Sequence, residues 1–404
     1  MSGGVWRNGL ARRCGRHALR YTLSMLAPYA LRAEESRGRR YPEEAHAYRN
    51  VFQRDRDRVV HSRAFRRLEN KTQVFTGRRS DHFSNRLTHT IEVAQISRTM
   101  AAELQLNEDL VEALALVHDV GHPPFGHAGE RVLNLAMQEY GDQFDHNLHA
   151  LRTVEQFEHR YAEFPGLNLT FEVREGIVKH SRDYDAGAFP ELAEYLLEQK
   201  PPLEAQLIDF NDEIAYSTAD LDDGVEAKIL TREQVRQSVP LFARLHAEVE
   251  QRYPAASEKL LFNETLKRVL DRLVSDLIAH SRKLIAAARV DSVEAVRRLP
   301  QRLIAFSPQV DKERKQIKDF LYANVYYSPA QQRDKQQAEQ VIAEMFAFFM
   351  KFPRELPASY QEKTRSQPLH RIVCDYIAGM TDSYIFDQHR RFCAPKKKVP
   401  GLRG

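Results

Sequence analysis

Histidine is the residue whose distribution carries the most chemistry in this chain. Nine of the 16 histidines fall between His82 and His180. Imidazole is the commonest side-chain metal ligand and the only side chain that titrates near neutrality without help. Within that stretch, His118-Asp119 closes the very apolar run Leu114-Ala115-Leu116-Val117. Burying an imidazole beside a carboxylate costs several kcal/mol, on the order of 2–5, unless something binds both. A divalent cation does so, because His offers a neutral nitrogen and Asp a charged oxygen. The next residues, Gly121-His122-Pro123-Pro124-Phe125-Gly126-His127-Ala128-Gly129-Glu130, predict a tight turn that folds His122, His127 and Glu130 back toward that cation.

Two further segments complete the set. Asn85-Arg86-Leu87-Thr88-His89-Thr90 opens a helical pattern in which His89, Val93, Ile96, Met100 and Leu104 share one face. Alone, His89 reads better as a packed core histidine; beside His118-Asp119 it becomes a ligand. Asp212, Tyr216 and Asp220 recur every four residues and place acid, phenol and acid on one helical face, ordinary if judged alone. As a distant carboxylate, Asp212 completes a set of two nitrogen and two oxygen ligands: His89, His118, Asp119 and Asp212. Such a set suits Mn²⁺ or Mg²⁺, and equally Fe²⁺, Co²⁺ or Zn²⁺, with positions left for water and a substrate oxygen. The chemistry it predicts is hydrolysis at phosphorus.

The elements that must position these residues read as helices. No sustained alternating pattern marks a strand, and Gly and Pro sit mainly between periodic runs. Long charged helices are expected over 232–299 and 331–352, and the polar stretch 34–57 reads as an arm. The fold class is all-α. Three parts follow: a basic extension and arm at 1–60, a catalytic core at 61–230, and a C-terminal helical region at 231–404. Residues 1–33 carry six arginines and no Asp or Glu; they read as an extension, with Met25 a plausible start, rather than a transit peptide.

Composition bounds the rest. The 404 residues allow roughly two to three domains. With 60 Lys+Arg against 56 Asp+Glu, the net charge of +4 argues against a protein that binds nucleic acid through bulk charge. The mixed-charge run 311–318 and the Lys396-Lys397-Lys398 tail read as solvated faces, with phosphate or single-stranded DNA contact as the functional alternative. Cys14, Cys374 and Cys393 are far apart, which excludes a disulfide framework and a thiolate zinc site and fits a reducing, cytoplasmic location. The uncharged stretch 21–31 is about half of a membrane span.

At these residues the sequence resembles the HD-domain superfamily of metal-dependent phosphohydrolases and, more narrowly, the bacterial deoxyguanosinetriphosphate triphosphohydrolase-like family, relatives of the vertebrate HD-domain dNTP hydrolase. The resemblance runs from about Glu35 to Arg391. It includes Ser36-Arg37-Gly38-Arg39-Arg40, Arg63-Ala64-Phe65-Arg66-Arg67-Leu68, Lys71-Thr72-Gln73-Val74-Phe75, the His118 turn, 212–224 and Met380-Thr381-Asp382. It implies that His89, His118, Asp119 and Asp212 bind the metal, that His127 and Glu130 form the acid/base pair, and that His122 meets the phosphates. It further implies that Arg86 contacts the triphosphate, that Tyr216 and Asp220 read the deoxyribose, and that Gln73 sits beside the 3′-hydroxyl. His146 approaches the leaving phosphate and Tyr322 lines the nucleotide pocket. The chain departs from the family at Leu148 and His149, and Lys179-His180 receives no role.

The implied activity is hydrolysis of dGTP or several dNTPs at the α-phosphorus, giving deoxynucleoside and triphosphate. The implied assembly is a homo-oligomer, tetramer or hexamer, with a dNTP effector, weak single-stranded DNA binding and no membrane. Two readings compete: another HD nucleotide phosphohydrolase acting on monophosphates, cyclic nucleotides or alarmones, and a catalytically weak nucleotide or single-strand binder.

Overall fold

The computed structural model of the chain describes residues 26–74 and 83–393. The extension as far as Met25, His82 and the Lys396–Lys398 tail lie outside the described residues. Helices α1 (Val51–His61), α2 (Arg63–Arg67), α3 (Arg86–Leu104), α4 (Glu108–Val117), α5 (Gly126–Gln138), α6 (His146–Arg152), α7 (Phe171–Val178) and α8 (Leu203–Glu226) make up the first half. The second half holds α9 (Arg232–Ser238), α10 (Pro240–Arg252), α11 (Glu258–Ala288), α12 (Val293–Arg297), α13 (Pro308–Leu321), α14 (Pro329–Lys351), α15 (Ala358–Lys363), α16 (Leu369–Ala378) and α17 (Asp382–Phe392). Among the described residues there is no strand, only three isolated bridges. The all-α reading holds.

Two expected extents change. The 232–299 stretch is not one charged helix but α9 to α12, interrupted where Pro240 and Pro254 withhold a backbone donor and where Arg289 turns left-handed at φ 52°. The arm ends at Asn50, whose side chain accepts from the amides of Phe52 and Gln53 and starts α1 seven residues early. Nor is the arm loose: Arg39 reaches Asp55 Oδ1 and the Asn168 carbonyl, both at 2.5 Å.

Among the described residues two apolar cores form. The larger joins α1, α3, α4, α7, α8 and α10 to α13, with Val93, Met100, Leu110 and Ile214 fully buried. The smaller gathers Phe125, Leu133 and Met137 from the α5 region with Ile342, Met345 and Phe349 of α14 and Ile372, Val373 and Ile377 of α16. Each such aliphatic or aromatic side chain contributes about 1.5–3 kcal/mol on burial. The turn 118–126 links the two cores. Among the described residues no helix is long and apolar enough to cross a membrane.

Candidate active site

Local sequence explains why the ligand-type residues arrive together. Asn85 caps α3: its side chain accepts from Thr88 N at 2.9 Å while Thr88 Oγ1 accepts from Asn85 N at 3.1 Å. That box fixes the first turn of α3 and with it Arg86 and His89. Helix α4 runs out at Val117, leaving His118 as its C-cap and Asp119 in the turn beyond. Gly121 is required there by contact, since a Cβ would lie 2.0 Å from the His146 carbonyl oxygen. Phe125 and Gly126 are both left-handed, at φ 60° and 56°, and a Cβ on Gly126 would lie 2.7 Å from Arg86 Nη2.

The four residues of the expected metal set converge. His89 Nε2 lies 2.8 Å from Asp212 Oδ1, and His118 Nε2 lies 3.5 Å from Asp119 Oδ1 and 3.8 Å from Asp212 Oδ1. His118 Nδ1 donates to the Ala115 carbonyl at 2.7 Å, which leaves Nε2 as the lone-pair nitrogen. His89 Nδ1 and His118 Nε2 are buried with no hydrogen-bond partner. Buried polar atoms are nearly always satisfied, so an orphaned His118 Nε2 beside two carboxylates, with His89 Nε2 on one of them, fits a divalent cation's donor set.

The electrostatics agree at three of the four residues; at His89 burial would lower the imidazole, but the bond to Asp212 raises it. Burial would raise the Asp119 carboxyl, but the Arg86 guanidinium, 2.8 Å from Oδ2, together with His118 and His122 holds it well below the usual range. Burial opposes ionisation of Asp212 as well, and the His89 bond overcomes it. Burial pushes the His118 imidazole down, so the ring stays neutral as a ligand must.

A second group flanks the first. His122, 2.9 Å from Asp119 through Nδ1, stacks on His146 at 4.1 Å. Glu130 accepts from His146 Nδ1 at 2.8 Å and lies 3.1 Å from His127 Nδ1. Burial would raise Glu130, but its bonds to His127 and His146 keep it ionised far below the usual carboxylate range. The turn thus brings His122 and Glu130 inward as expected, whereas the His127 side chain is 82% exposed at the mouth.

Further along α8, Asp220 is buried two turns beyond Asp212, and Tyr216 lies between them. Burial pushes Asp220 up to about 7. Tyr326, on the π-turn Tyr322–Tyr326, donates its hydroxyl to Asp220 Oδ2. Tyr322 is 45% exposed, its ring 5.0 Å from that of Tyr326. Gln73 Oε1 is buried without a partner, one residue from the Thr72–Asn85 bridge.

Sequence reasoning missed two residues. Tyr326, four residues after Tyr322, is the one that reaches Asp220. His180 lies with its ring 5.2 Å from His118, Nδ1 2.7 Å from Asp209 Oδ1, and a nitrogen within 4.8 Å of ligand-type atoms of His118 and Asp212. The available signal was Asp209, one helical turn before Asp212. The departure at 148–149 is also explained. Leu148 packs on the larger core, and His149, lowered by burial to about 4, donates Nδ1–H to the Gly121 carbonyl at 2.8 Å. Nor is the 311–318 run simply a solvated face: Arg314 is buried against Glu213 and Asp311, and Lys318 lies 3.2 Å from Glu213.

Comparison with known proteins agrees with this geometry. The HD domain family matches residues 86–217, and the phosphohydrolase-associated domain family matches 304–391. A deoxyguanosinetriphosphate triphosphohydrolase-like protein of Azoarcus sp. is 49% identical over 370 residues, covering 91% of this chain and 97% of that protein. Proteins of the same name from Ralstonia pickettii and Geobacter metallireducens are 47% and 42% identical, covering 91% and 93% of this chain and 95% and 97% of their own. A cluster of histidine and carboxylate drawn from the start of α3, the end of α4 and the middle of α8, in a chain this similar along nearly its whole length, makes it a member of the HD-domain deoxyguanosinetriphosphate triphosphohydrolase-like family of phosphohydrolases.

Proposed function

We propose that the protein hydrolyses deoxynucleoside triphosphates, dGTP or several dNTPs, at the α-phosphorus, releasing deoxynucleoside and intact triphosphate. The observation that carries the reading is the convergence of His89, His118, Asp119 and Asp212, with the buried His118 Nε2 left without a hydrogen-bond partner and the His122–Glu130–His146 group alongside. His89, His118, Asp119 and Asp212 would hold a divalent cation, Mn²⁺ or Mg²⁺ first. When bound, the cation supplies Lewis acidity to a phosphoryl oxygen.

The chain's own groups do the rest. Arg86 offsets phosphate charge and His122, held neutral by burial, adds a hydrogen bond; together they align the α-phosphorus with an attacking water. Water adds at that phosphorus as the bond to the 5′-oxygen breaks. Glu130 fixes the orientation of His127, whose Nε2 gives a proton to the departing 5′-oxygen. His146 stacks on His122 and steadies the triphosphate leaving the site. Tyr216 lies under the sugar where a 2′-hydroxyl would clash, while Asp220 and Gln73 hold the 3′-hydroxyl and Tyr322 borders the base side. In this reading 61–230 is the catalytic core and 231–404 completes the nucleotide pocket. The protein works in the cytoplasm as a homo-oligomer with a dNTP effector.

Phosphorus NMR of the products from each dNTP, singly and mixed, with Mn²⁺ or Mg²⁺, tests this. Tripolyphosphate is the expected product, and activity confined to mixtures reveals the effector. Orthophosphate or pyrophosphate instead would transfer the site to another HD nucleotide substrate.

A further inference from the structure

Two side chains outside the reacting groups, the half-buried Asp382 and the buried Lys71, tie the turn 122–125 to the C-terminal region. Asp382, the first residue of α17, accepts from two backbone amides of distant segments. Its Oδ1 takes Phe125 N at 3.0 Å, and its Oδ2 takes Thr72 N at 2.9 Å. Phe125 is the left-handed residue from which α5 launches His127 and Glu130; Thr72 immediately precedes Gln73. One carboxylate thus sets the spacing between the segment carrying the acid/base pair and the segment carrying Gln73.

Lys71 works from the other side. It is fully buried, and its Nζ donates to the His122 carbonyl at 2.5 Å and to the Ala378 carbonyl, at the end of α16, at 3.1 Å. The Phe125 and Phe386 rings meet at 5.1 Å and close the same seam with apolar contact. A left-handed φ of 60° is strained for a residue as bulky as Phe125, so the turn keeps its shape only if its surroundings over-determine it. The ties through Asp382 and Lys71 do that.

Resting on the hydrolytic reading above, we infer that Asp382 and Lys71 are positioning residues, a clamp by which the segment 378–386 holds the acid/base turn and the Gln73 segment in register for attack. Neither touches substrate. A displacement of about 1 Å in such a site costs on the order of 100-fold in rate.

The test uses the full-length protein and the substitutions Asp382→Ala, Asp382→Asn and Lys71→Met, with Asp387→Ala as a control on the exposed side of α17. Hydrogen exchange is read with and without Mn²⁺, alongside metal content and steady-state kinetics. The clamp predicts faster exchange in peptides covering 71–74 and 121–130 for Asp382→Ala, with α8 and Mn²⁺ content unchanged. It predicts kcat lowered about 10- to 100-fold with KM moved much less. Asp382→Asn, which keeps one acceptor oxygen, falls between, and Asp387→Ala matches wild type. Unchanged exchange at 121–130 in both Asp382 variants overturns the clamp even if no dNTP is turned over. Wild-type inertness toward dNTPs, with exchange altered as predicted, overturns only the hydrolytic reading. Wild-type kcat in Asp382→Ala overturns the positioning role.

Discussion

Lys179 and His180 are neighbours in sequence and belong to two buried polar clusters of opposite character. Lys179 Nζ spends all three donors, on Glu175 Oε1 and on the Leu196 and Gln199 carbonyls, each at 2.8 Å. Arg297 grips the same Glu175 with two nitrogens at 2.6 and 2.8 Å. That cluster is closed almost entirely by protein. The His180 side faces His118 and Asp212, where carboxylates and imidazoles gather but ring nitrogens of His89 and His118 stay unpaired. Most members of both clusters are buried, although Asp212 keeps 23% of its side chain exposed, so burial alone does little to distinguish structure from function. Closure does: a cluster that satisfies itself is an anchor, and one that leaves a buried ring nitrogen unpaired beside carboxylates is built for a ligand.

The sharpest break of that comparison is a substitution in the open cluster. Asp212→Ala is expected to abolish detectable turnover and lower metal content, a loss above the roughly 10–100-fold that outer-shell changes alone produce at metal sites. Turnover at the wild-type rate would remove Asp212 from the set. The mirror experiment opens the closed cluster. Glu175→Ala strands two buried cations and should cost about 3–5 kcal/mol in urea unfolding, while the protein that remains folded keeps its metal. A change below about 1 kcal/mol would mean that the network is not an anchor.

Glu204 supplies a third case, closed by a proton. Its Oε1 accepts from Leu31 N at 2.9 Å and Asn107 N at 3.2 Å, its Oε2 has no partner, and burial pushes the carboxyl up to about 7. The folded state therefore binds the proton more tightly than the unfolded chain. This stability is fully present below the unfolded value near 4.5 and is lost as pH rises through about 7. Over that window wild type should lose roughly 2–3 kcal/mol relative to Glu204→Gln, measured by thermal unfolding between pH 5 and 8. Parallel pH profiles for the two proteins would refute it. The smallest effect belongs to Tyr216→Ala, which should narrow the preference for dNTP over NTP by about tenfold, the scale of a single steric contact. Unaltered selectivity removes Tyr216 from sugar reading.

The proposed ligand set was legible because His118 and Asp119 are adjacent and end an apolar run that has no other use for charge, and because His89 and Asp212 each sit in a helical pattern of their own. The turn was legible from its Gly and Pro residues. His180 was not, since its meaning depends on Asp209 and on α7 packing against α4, contacts that no spacing along the chain encodes. Tyr326 was masked by Tyr322 one turn earlier: a π-turn decides which ring points at Asp220, and periodicity cannot register a single inserted residue. The breaks in 232–299 were visible as prolines but were outweighed by the charged pattern on either side.

The central claim is that the open cluster holds a divalent cation. It is tested most directly by stripping the protein with chelator, dialysing it against Mn²⁺ and counting bound metal by elemental analysis. The account predicts about one high-affinity equivalent for wild type and essentially none for His118→Ala, with the Glu175 network intact in both. Retention of the full equivalent by His118→Ala would contradict it.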